Sequence, residues 1–281
     1  QSLDATSNNE HTGTIAIGHQ ALTACTSGAG NVAVGHRALN ACTTAGGNTV
    51  IGFDAALLLG GSDESGTDNT VIGWKAFDAA TTNERQNVII GSAAGGAIVG
   101  SASDDNVLIG HKAGFGGGGT TEDCVVIGAS AMDGTGTNTQ TGTVAIGYFA
   151  LSALTDGASN VAIGYRALIG HTTGNRNIVI GYNAMSGTSA NDCPTSNDNI
   201  FIGHTAGAGT WTTNDSNYNV GIGSFVMISA MNDALRNTAL GYTALSGLTT
   251  GDDNVAIGAN AGDAITTGSE NITIGTAAAG A

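Results

Sequence analysis

Hydrophobic residues recur along the chain in short alternating clusters, and a glycine closes each cluster. The recurring unit is Asn-(Val/Ile/Thr)-x-Ile-Gly, as in NVAIG at 160–164 and NIVIG at 177–181. Fifteen such glycines follow one another at intervals of 17 to 22 residues, and no helical periodicity of 3.6 residues interrupts them. A period of about 20 residues held over many copies is typical of a solenoid, in which each repeat packs on its neighbours. The pattern therefore predicts an all-β fold, a parallel β-solenoid or β-roll of about 15 rungs.

The repeats extend over almost the whole chain of 281 residues, starting at Thr14. We therefore expect an N-terminal lead or cap segment over residues 1–13 and a single β-solenoid repeat domain over residues 14–281. The sequence begins with Gln1 and not with Met. We expect either that a signal peptide has been removed or that the sequence is a fragment.

Asparagine stands four residues before the closing glycine in twelve of the fifteen repeats. Its side chain bonds nearby backbone in turns, and identical Asn residues stacked on successive rungs form amide ladders. The column is therefore predicted to be a structural ladder. Its members are Asn31, Asn48, Asn69, Asn87, Asn106, Asn160, Asn177, Asn199, Asn219, Asn237, Asn254 and Asn271.

The residues three and one before each glycine are mostly β-branched, as in Val161 and Ile163. Positions two apart on a strand share a face, so these pairs are predicted to point into the core. The residue between them would then point outwards, and it is apolar or Gly in every repeat except at Thr273. An apolar stripe along an outer face is expected to be covered, most simply by copies of the same chain about an axis parallel to the solenoid. The predicted oligomer stripe comprises Ala33, Val50, Val71, Ile89, Leu108, Val126, Ala162, Val179 and Phe201.

Aromatic residues or histidines follow the closing glycine in many repeats, and the longest turns carry further aromatic residues. Stacking into a ladder that stiffens the solenoid is one interpretation, and a platform for stacking sugars is the other. Metal binding by His19 and His36 has less support, because no acidic residue or cysteine shares their column. The candidate ligand-stacking residues are Tyr148, Tyr165, Tyr182, Trp211 and Tyr218.

The chain is acidic, with 22 Asp and Glu against 7 Lys and Arg and a net charge of −15. This charge disfavours nucleic acid and anionic membrane surfaces as partners, and no apolar run is long enough to be inserted in a membrane. Acidic residues gather in the turns before the Asn column, for example at Asp104-Asp105 and Asp252-Asp253. Calcium bridging between such turns stays open as an alternative to a turn-forming role; no other cofactor is expected.

Two of the four cysteines, Cys25 and Cys42, each stand seven residues after a closing glycine in adjacent repeats. Adjacent rungs place Cα atoms about 5 Å apart, which is within disulfide range. The pair is a candidate disulfide, and two buried free thiols are the alternative. The sequence does not pair Cys124 or Cys193, and the spacings match no zinc signature.

The pattern N-x-(V/A)-I-G-x-x-A resembles the head repeats of trimeric autotransporter adhesins and related N-T-A-I-G-Y-x-A-L arrays of phage and bacterial fibre proteins. The likeness is strongest at residues 160–168 and 254–261 and extends over essentially the whole chain. It implies a homotrimeric parallel β-roll in an extracellular fibre. The repeats here are longer than adhesin head repeats, which leaves the cross-section of the roll open.

No nucleophile-elbow, phosphate-loop or metal-hydrolase motif is present, so no enzymatic activity is expected. We expect a structural or adhesive subunit of an extracellular fibre or filament, on a cell surface, on a virion or free. Its partners would be copies of itself, laterally or end to end, and a cell-surface glycan or receptor. The alternatives are a glycan-binding module that uses the aromatic column and long loops, and an ice-binding solenoid that uses Thr pairs such as Thr43-Thr44 and Thr172-Thr173.

Overall fold

The structure is a computed structural model that describes residues 11–60, 66–81, 84–98, 103–116, 119–134, 136, 139–187, 195–211 and 214–280. The chain divides into two compact units, Gln1–Thr143 and Val144–Ala281. The expected division into a lead over 1–13 and one domain over 14–281 stays a prediction.

The first unit contains seven repeat strands of three residues and two shorter strands that lie in the turns. Each repeat strand pairs in parallel with the next repeat strand along the chain. The two short strands pair in parallel with each other. The strands are β1 (Ile15–Ile17), β2 (Val32–Val34), β3 (Thr49–Ile51), β4 (Thr70–Ile72), β5 (Val88–Ile90), β6 (Val107–Ile109), β7 (Thr121–Glu122), β8 (Val125–Ile127) and β9 (Gln140–Thr141).

The second unit contains eight repeat strands with the same parallel pairing between consecutive strands. The strands are β10 (Val144–Ile146), β11 (Val161–Ile163), β12 (Ile178–Ile180), β13 (Ile200–Ile202), β14 (Val220–Ile222), β15 (Thr238–Leu240), β16 (Val255–Ile257) and β17 (Ile272–Ile274).

Equivalent repeat positions lie side by side, so that Val161 pairs with Ile178 and Ala162 with Val179. The predicted fold class is confirmed: the chain is an all-β parallel β-solenoid of about 13 turns, with no helix in the described residues. The predicted number of about 15 rungs agrees with the fifteen repeat strands of the described residues, but the solenoid has only about 13 turns.

The backbone of the next turn requires glycine at the closing position of the repeats before the last one; at Gly275 nothing lies near an added Cβ. Gly164 has a φ of 135°, and a Cβ at this position would lie 2.4 Å from the carbonyl oxygen of Gly181. Successive turns approach too closely here for any side chain, which explains why the column contains only Gly.

A corner with two left-handed residues follows the glycine. Arg166 and Leu168 have φ values of 54° and 56°, and the equivalent positions of other repeats share this geometry. Left-handed geometry costs about 1–2 kcal/mol for an L-residue. Hydrogen bonds to the preceding and the following turn offset the cost. Arg166 N donates to Tyr148 O of the preceding turn at 2.9 Å, and Leu168 N donates to Ala184 O of the following turn at 3.0 Å.

The strand side chains face opposite to the prediction. The central residue of every repeat strand after β1 is buried, as Ala162 and Val179 are, whereas the flanking Val161 and Ile163 are partly exposed. The predicted outer oligomer stripe is therefore wrong, because its residues form the core of the chain itself. All nine are 0% exposed: Ala33, Val50, Val71, Ile89, Leu108, Val126, Ala162, Val179 and Phe201.

The buried asparagine gives the physical reason for the reversal. Alternation along a strand dictates only that neighbours face opposite sides, and here both sets of side chains are apolar. Asn160 is buried and lies two positions before Ala162, so the two point to the same side. The sequence carries one indication of which side is buried, because the large Phe201 is followed in the next repeat by a glycine, Gly221. A Cβ at Gly221 would lie 2.7 Å from the Phe201 ring. Such complementary volumes in one column are typical of a packed core.

Candidate functional site

The asparagines form continuous ladders inside the solenoid. In the second unit, Asn237 N donates to Asn219 Oδ1 at 3.0 Å, and Asn237 Nδ2 donates to the same oxygen at 3.1 Å. The second proton of Nδ2 is donated to Gly251 O at 2.8 Å. Asn237 Oδ1 in turn accepts from the backbone and side chain of Asn254. Each amide thus satisfies buried backbone groups of its own turn and of the next.

The ladder of the first unit is interrupted where Cys124 replaces Asn. Cys124 N still donates to Asn106 Oδ1 at 3.0 Å. The thiol, however, only donates, to Glu122 O and Gln140 O, and supplies no amide oxygen. Thr143 takes the next position, and its buried Oγ1 has no hydrogen-bond partner. Burial raises the pKa of the Cys124 thiol to about 11, so that it stays protonated and serves as a donor.

The outer face of each sheet is made of two columns of Val, Ile, Thr and Leu side chains. They occupy the positions three and one before the closing glycine, and no charged residue occurs among them. Several are well exposed for their type, including Ile51 at 38%, Leu240 at 46% and Ile257 at 38%. The exposed apolar surface that the sequence predicted therefore exists, but these residues form it and not the predicted stripe.

The aromatic column after the glycine forms a stack of rings. The centroid distances are 5.5 Å from Tyr148 to Tyr165, 5.1 Å from Tyr165 to Tyr182 and 5.3 Å from Tyr182 to His204, with interplanar angles of 18° or less. The first unit has a similar stack of His19, His36 and Phe53. Because the ring faces cover one another, only edges and stack ends are open to a sugar. This geometry fits the ladder interpretation of the column better than the platform interpretation.

The other two candidate ligand-stacking residues lie apart from this column. Trp211 is fully buried against Phe201, and its Nε1 donates to Gly207 O at 2.9 Å. Its assignment as a ligand-stacking residue is wrong, because the long turn folds the indole into the core. Tyr218 is 58% exposed in a turn and has a φ of 62°.

A shallow groove borders the tyrosine stack. Its volume is about 400 Å³, and Tyr148, Phe149, Tyr165 and Arg166 contribute to its walls together with Ser152 and Ile169. Phe149 meets the ring of Tyr148 edge-on at 4.3 Å. The groove therefore combines ring edges with a guanidinium group.

A second concavity, which we call the lysine notch, spans three turns of the first unit. It has a volume of about 310 Å³ and is lined by Trp74, Lys75, Asp78, Ala93, Gly96, Lys112 and Phe115. Lys75 Nζ lies 5.3 Å from the Trp74 ring centroid, and Lys112 Nζ lies 5.4 Å from that of Phe115. No motif in the sequence predicts this site, because its residues come from three repeats.

Three arginines make bidentate pairs with aspartates of the next turn. Arg37 binds the buried Asp54, Arg176 binds Asp198 and Arg236 binds Asp253. The arginines lower the pKa of Asp198 and that of Asp253. In the described part of the chain, Lys75, Lys112 and Arg166 have no carboxylate within 4.0 Å. These cations line the groove and the lysine notch.

The candidate disulfide is not formed: Cys25 and Cys42 are buried free thiols. Each sulfur bonds a carbonyl three residues on, Cys25 Sγ to Gly28 O at 3.7 Å and Cys42 Sγ to Ala45 O at 3.3 Å. Hydrogen bonding between the two thiols lowers the pKa of Cys25 and raises the pKa of Cys42. Cys193 lies outside the described residues.

Among the described residues, no group of three or more His, Cys, Asp or Glu could hold a metal ion. The acidic turns make hydrogen bonds within the protein instead. Asp104 Oδ1 accepts from Arg85 N at 2.7 Å, and Asp252 Oδ1 accepts from Leu235 N at 2.8 Å. These contacts favour the turn-forming interpretation over bridging calcium.

A histidine is buried beside the ladder of the second unit. His171 is fully buried, and its Nε2 lies 3.3 Å from Asn177 Nδ2. Burial lowers the pKa of His171 to about 4, so the ring is neutral at physiological pH.

No family model, curated protein or solved structure matches the chain. The part of the chain that the structure describes contains no helix with the length and apolar character needed to span a membrane.

Proposed function

We propose that this chain is the structural and adhesive subunit of an extracellular fibre or filament, and that it assembles as a homotrimer with parallel solenoid axes. The outer sheet face carries this proposal. Uncharged side chains such as Ile51, Leu240 and Ile257 stand 38–46% exposed there in a regular array. Continuous apolar surface of this kind marks an interaction site.

A further copy of the same chain is the occupant that fits this face best. The net charge is −15, and the three-residue repeat strands carry no Asp or Glu, so the sheet face is where acidic chains can meet without bringing carboxylates together. Every strand repeats the same outward pair in the same register, as Val161 and Ile163 do beside Ile178 and Ile180. Two copies with parallel axes would therefore match over many turns.

The role follows from the mechanical properties of such an assembly. Parallel strand pairing, the asparagine ladder and the glycine column tie each turn to its neighbours through backbone groups. A solenoid built in this way depends on local contacts between adjacent turns. An assembly of these solenoids would resist bending and proteolysis, which are the demands on a surface fibre.

The test is the mass of the smallest soluble unit, measured by sedimentation equilibrium on the full chain. We expect a trimer, and we expect Ile163→Arg together with Ile180→Arg to give monomers, because both place charge on the outer face. The control is Asn183→Arg, a position outside that face where the preceding turn already carries Arg166. A monomeric parent chain, or an assembly that survives the double substitution, would refute the proposal. A dimeric parent chain would refute the trimeric state.

A glycan-binding module is the second candidate function, and the groove beside Tyr148, Phe149 and Arg166 favours it. Its test is binding of the full chain to an array of glycans, with Arg166→Ala expected to remove the signal. An array without hits would count against it. Ice binding has less support, because the exposed sheet face carries mainly Val and Ile, while pairs such as Thr43-Thr44 lie in turns. The absence of thermal hysteresis would eliminate it.

A further inference from the structure

The lysine notch is made by one turn with small side chains between two turns with large ones. Two positions after the closing glycine the three turns carry Lys75, Ala93 and Lys112, and five positions after it they carry Asp78, Gly96 and Phe115. Ala93 is only 8% exposed. The middle turn therefore forms the floor, and the flanking turns form the walls.

The walls of the lysine notch combine aromatic rings with cations. Trp74 is 53% exposed, and the ammonium groups of Lys75 and Lys112 lie near the rings of Trp74 and Phe115. These are the only two lysines of the chain. In the described residues neither has a carboxylate within 4.0 Å, although three arginines of the chain are paired. Lys75 acts electrostatically on the Asp78 carboxylate without touching it, and Lys75 and Lys112, which flank the middle turn, leave positive charge open to an anion.

The remaining lining is suited to a sugar ring. An exposed indole offers an apolar surface to the C–H face of a sugar. Burial raises the pKa of Asp78, and its carboxyl group is an acceptor for hydroxyl groups at the wall of the notch. A volume of about 310 Å³ lies at the lower end of the range for small-molecule sites, which corresponds to one or two sugar residues.

We propose that the lysine notch binds an acidic saccharide, a sugar that bears a carboxylate or sulfate group. The sugar ring lies on the floor of Ala93 and Gly96 against Trp74, and the anionic group is held by Lys75 and Lys112. The acidic chain, with a net charge of −15, repels those parts of a long polyanion that run within about 8 Å of its surface, the screening length at physiological ionic strength. The notch therefore selects short acidic segments or chain ends.

The proposal deepens the second candidate function and rests on it, but places the ligand in the lysine notch of the first unit instead of the tyrosine groove. The reporter is tryptophan fluorescence, because Trp74 lies in the lysine notch whereas the only other tryptophan, Trp211, is buried. The full chain is titrated with trigalacturonate, sialyllactose and a sulfated disaccharide. The neutral counterparts are the methyl ester, lactose and the unsulfated disaccharide.

We expect a saturable change in fluorescence with at least one acidic sugar and none with its neutral counterpart. Lys112→Met should weaken binding by at least tenfold, and added salt should weaken it further. Ala93→Phe should abolish binding because the ring fills the notch. The backbone tolerates that change, since Phe149 and Phe225 occupy the equivalent position with φ values of 55° and 57° against 55° for Ala93.

The matched control is Thr243→Phe, a Phe introduced at the equivalent position of a turn in the second unit, and it should leave the affinity unchanged. Circular dichroism checks that each variant is folded. Failure of all three acidic sugars, equal binding of a neutral counterpart, or full binding by Ala93→Phe would each overturn the proposal. An array hit lost with Arg166→Ala would still support the tyrosine groove, and the sedimentation test of assembly is independent of both.

Discussion

Replacement of one ladder asparagine tests how the interior of the solenoid is held together. Asn237→Ala removes the oxygen that accepts from Asn254 N at 3.0 Å and the amide that donates to Gly251 O at 2.8 Å. Both orphaned backbone groups lie in the buried interior, and Asn254 Nδ2 loses one acceptor but keeps Gly268 O. A buried polar group without a partner costs about 1–3 kcal/mol. Two of them give an expected loss of about 4 kcal/mol.

The effect should be concentrated near the substitution, because each turn of a solenoid contacts only its neighbours. Native-state hydrogen exchange at the Asn254 amide therefore measures it directly. A loss of about 4 kcal/mol corresponds to an exchange rate about 10³-fold faster. Urea unfolding followed by circular dichroism gives the effect on the whole protein.

The control is Asn40→Ala, which removes an asparagine outside the ladder. Asn40 Nδ2 donates to Gln20 O at 2.9 Å and to Thr23 Oγ1 at 3.1 Å near the surface, where water can replace it. We expect a change of about 1 kcal/mol or less. If Asn237→Ala is as mild as this control, the ladder does not stabilise the solenoid as the hydrogen bonds imply.

Three further predictions concern the backbone, the buried histidine and the thiols. Gly164→Ala should destabilise the protein by about 3 kcal/mol in urea unfolding, because its Cβ meets the Gly181 carbonyl and its φ is unfavourable; an effect below about 1 kcal/mol would contradict the close approach of the turns. The pKa of His171 is lowered to about 4 from an unfolded value of about 6.5, so stability should fall by about 3 kcal/mol as the pH drops from 6.5 to 4. In His171→Gln this slope should flatten in urea midpoints measured against pH, and an unchanged slope would refute the assignment. A pulse of N-ethylmaleimide followed by peptide mapping should leave Cys42 and Cys124 unlabelled in the native protein and labelled in urea; rapid native labelling would show that these thiols are accessible.

Repetition explains why so much of the fold could be predicted from the sequence. A parallel stack places equivalent residues side by side, so the columns of Asn, Gly and aromatic residues translate directly into ladders. The contact between Phe201 and Gly221 is also visible in the sequence, because a large residue in one repeat is matched by a glycine at the same position of the next. The lysine notch was not predicted, because its character depends on the absence of large side chains at Ala93 and Gly96 between two larger turns. Sequence motifs consist of residues that are present, whereas this notch arises where one repeat lacks the large side chains of its neighbours.

The solenoid class, the position of each repeat strand and the glycine at each close approach follow from the amino-acid sequence alone. These features depend on the spacing of residues, which can be read directly along the chain. Which side of each strand is buried depends on tertiary packing, because both alternating sets of side chains are apolar and either arrangement satisfies the pattern. The structure also decided the left-handed geometry of residues such as Leu168, which local preference disfavours and which hydrogen bonds between turns impose. The same packing holds Cys25 and Cys42 as thiols that bond turn carbonyls, and it folds Trp211 into the core.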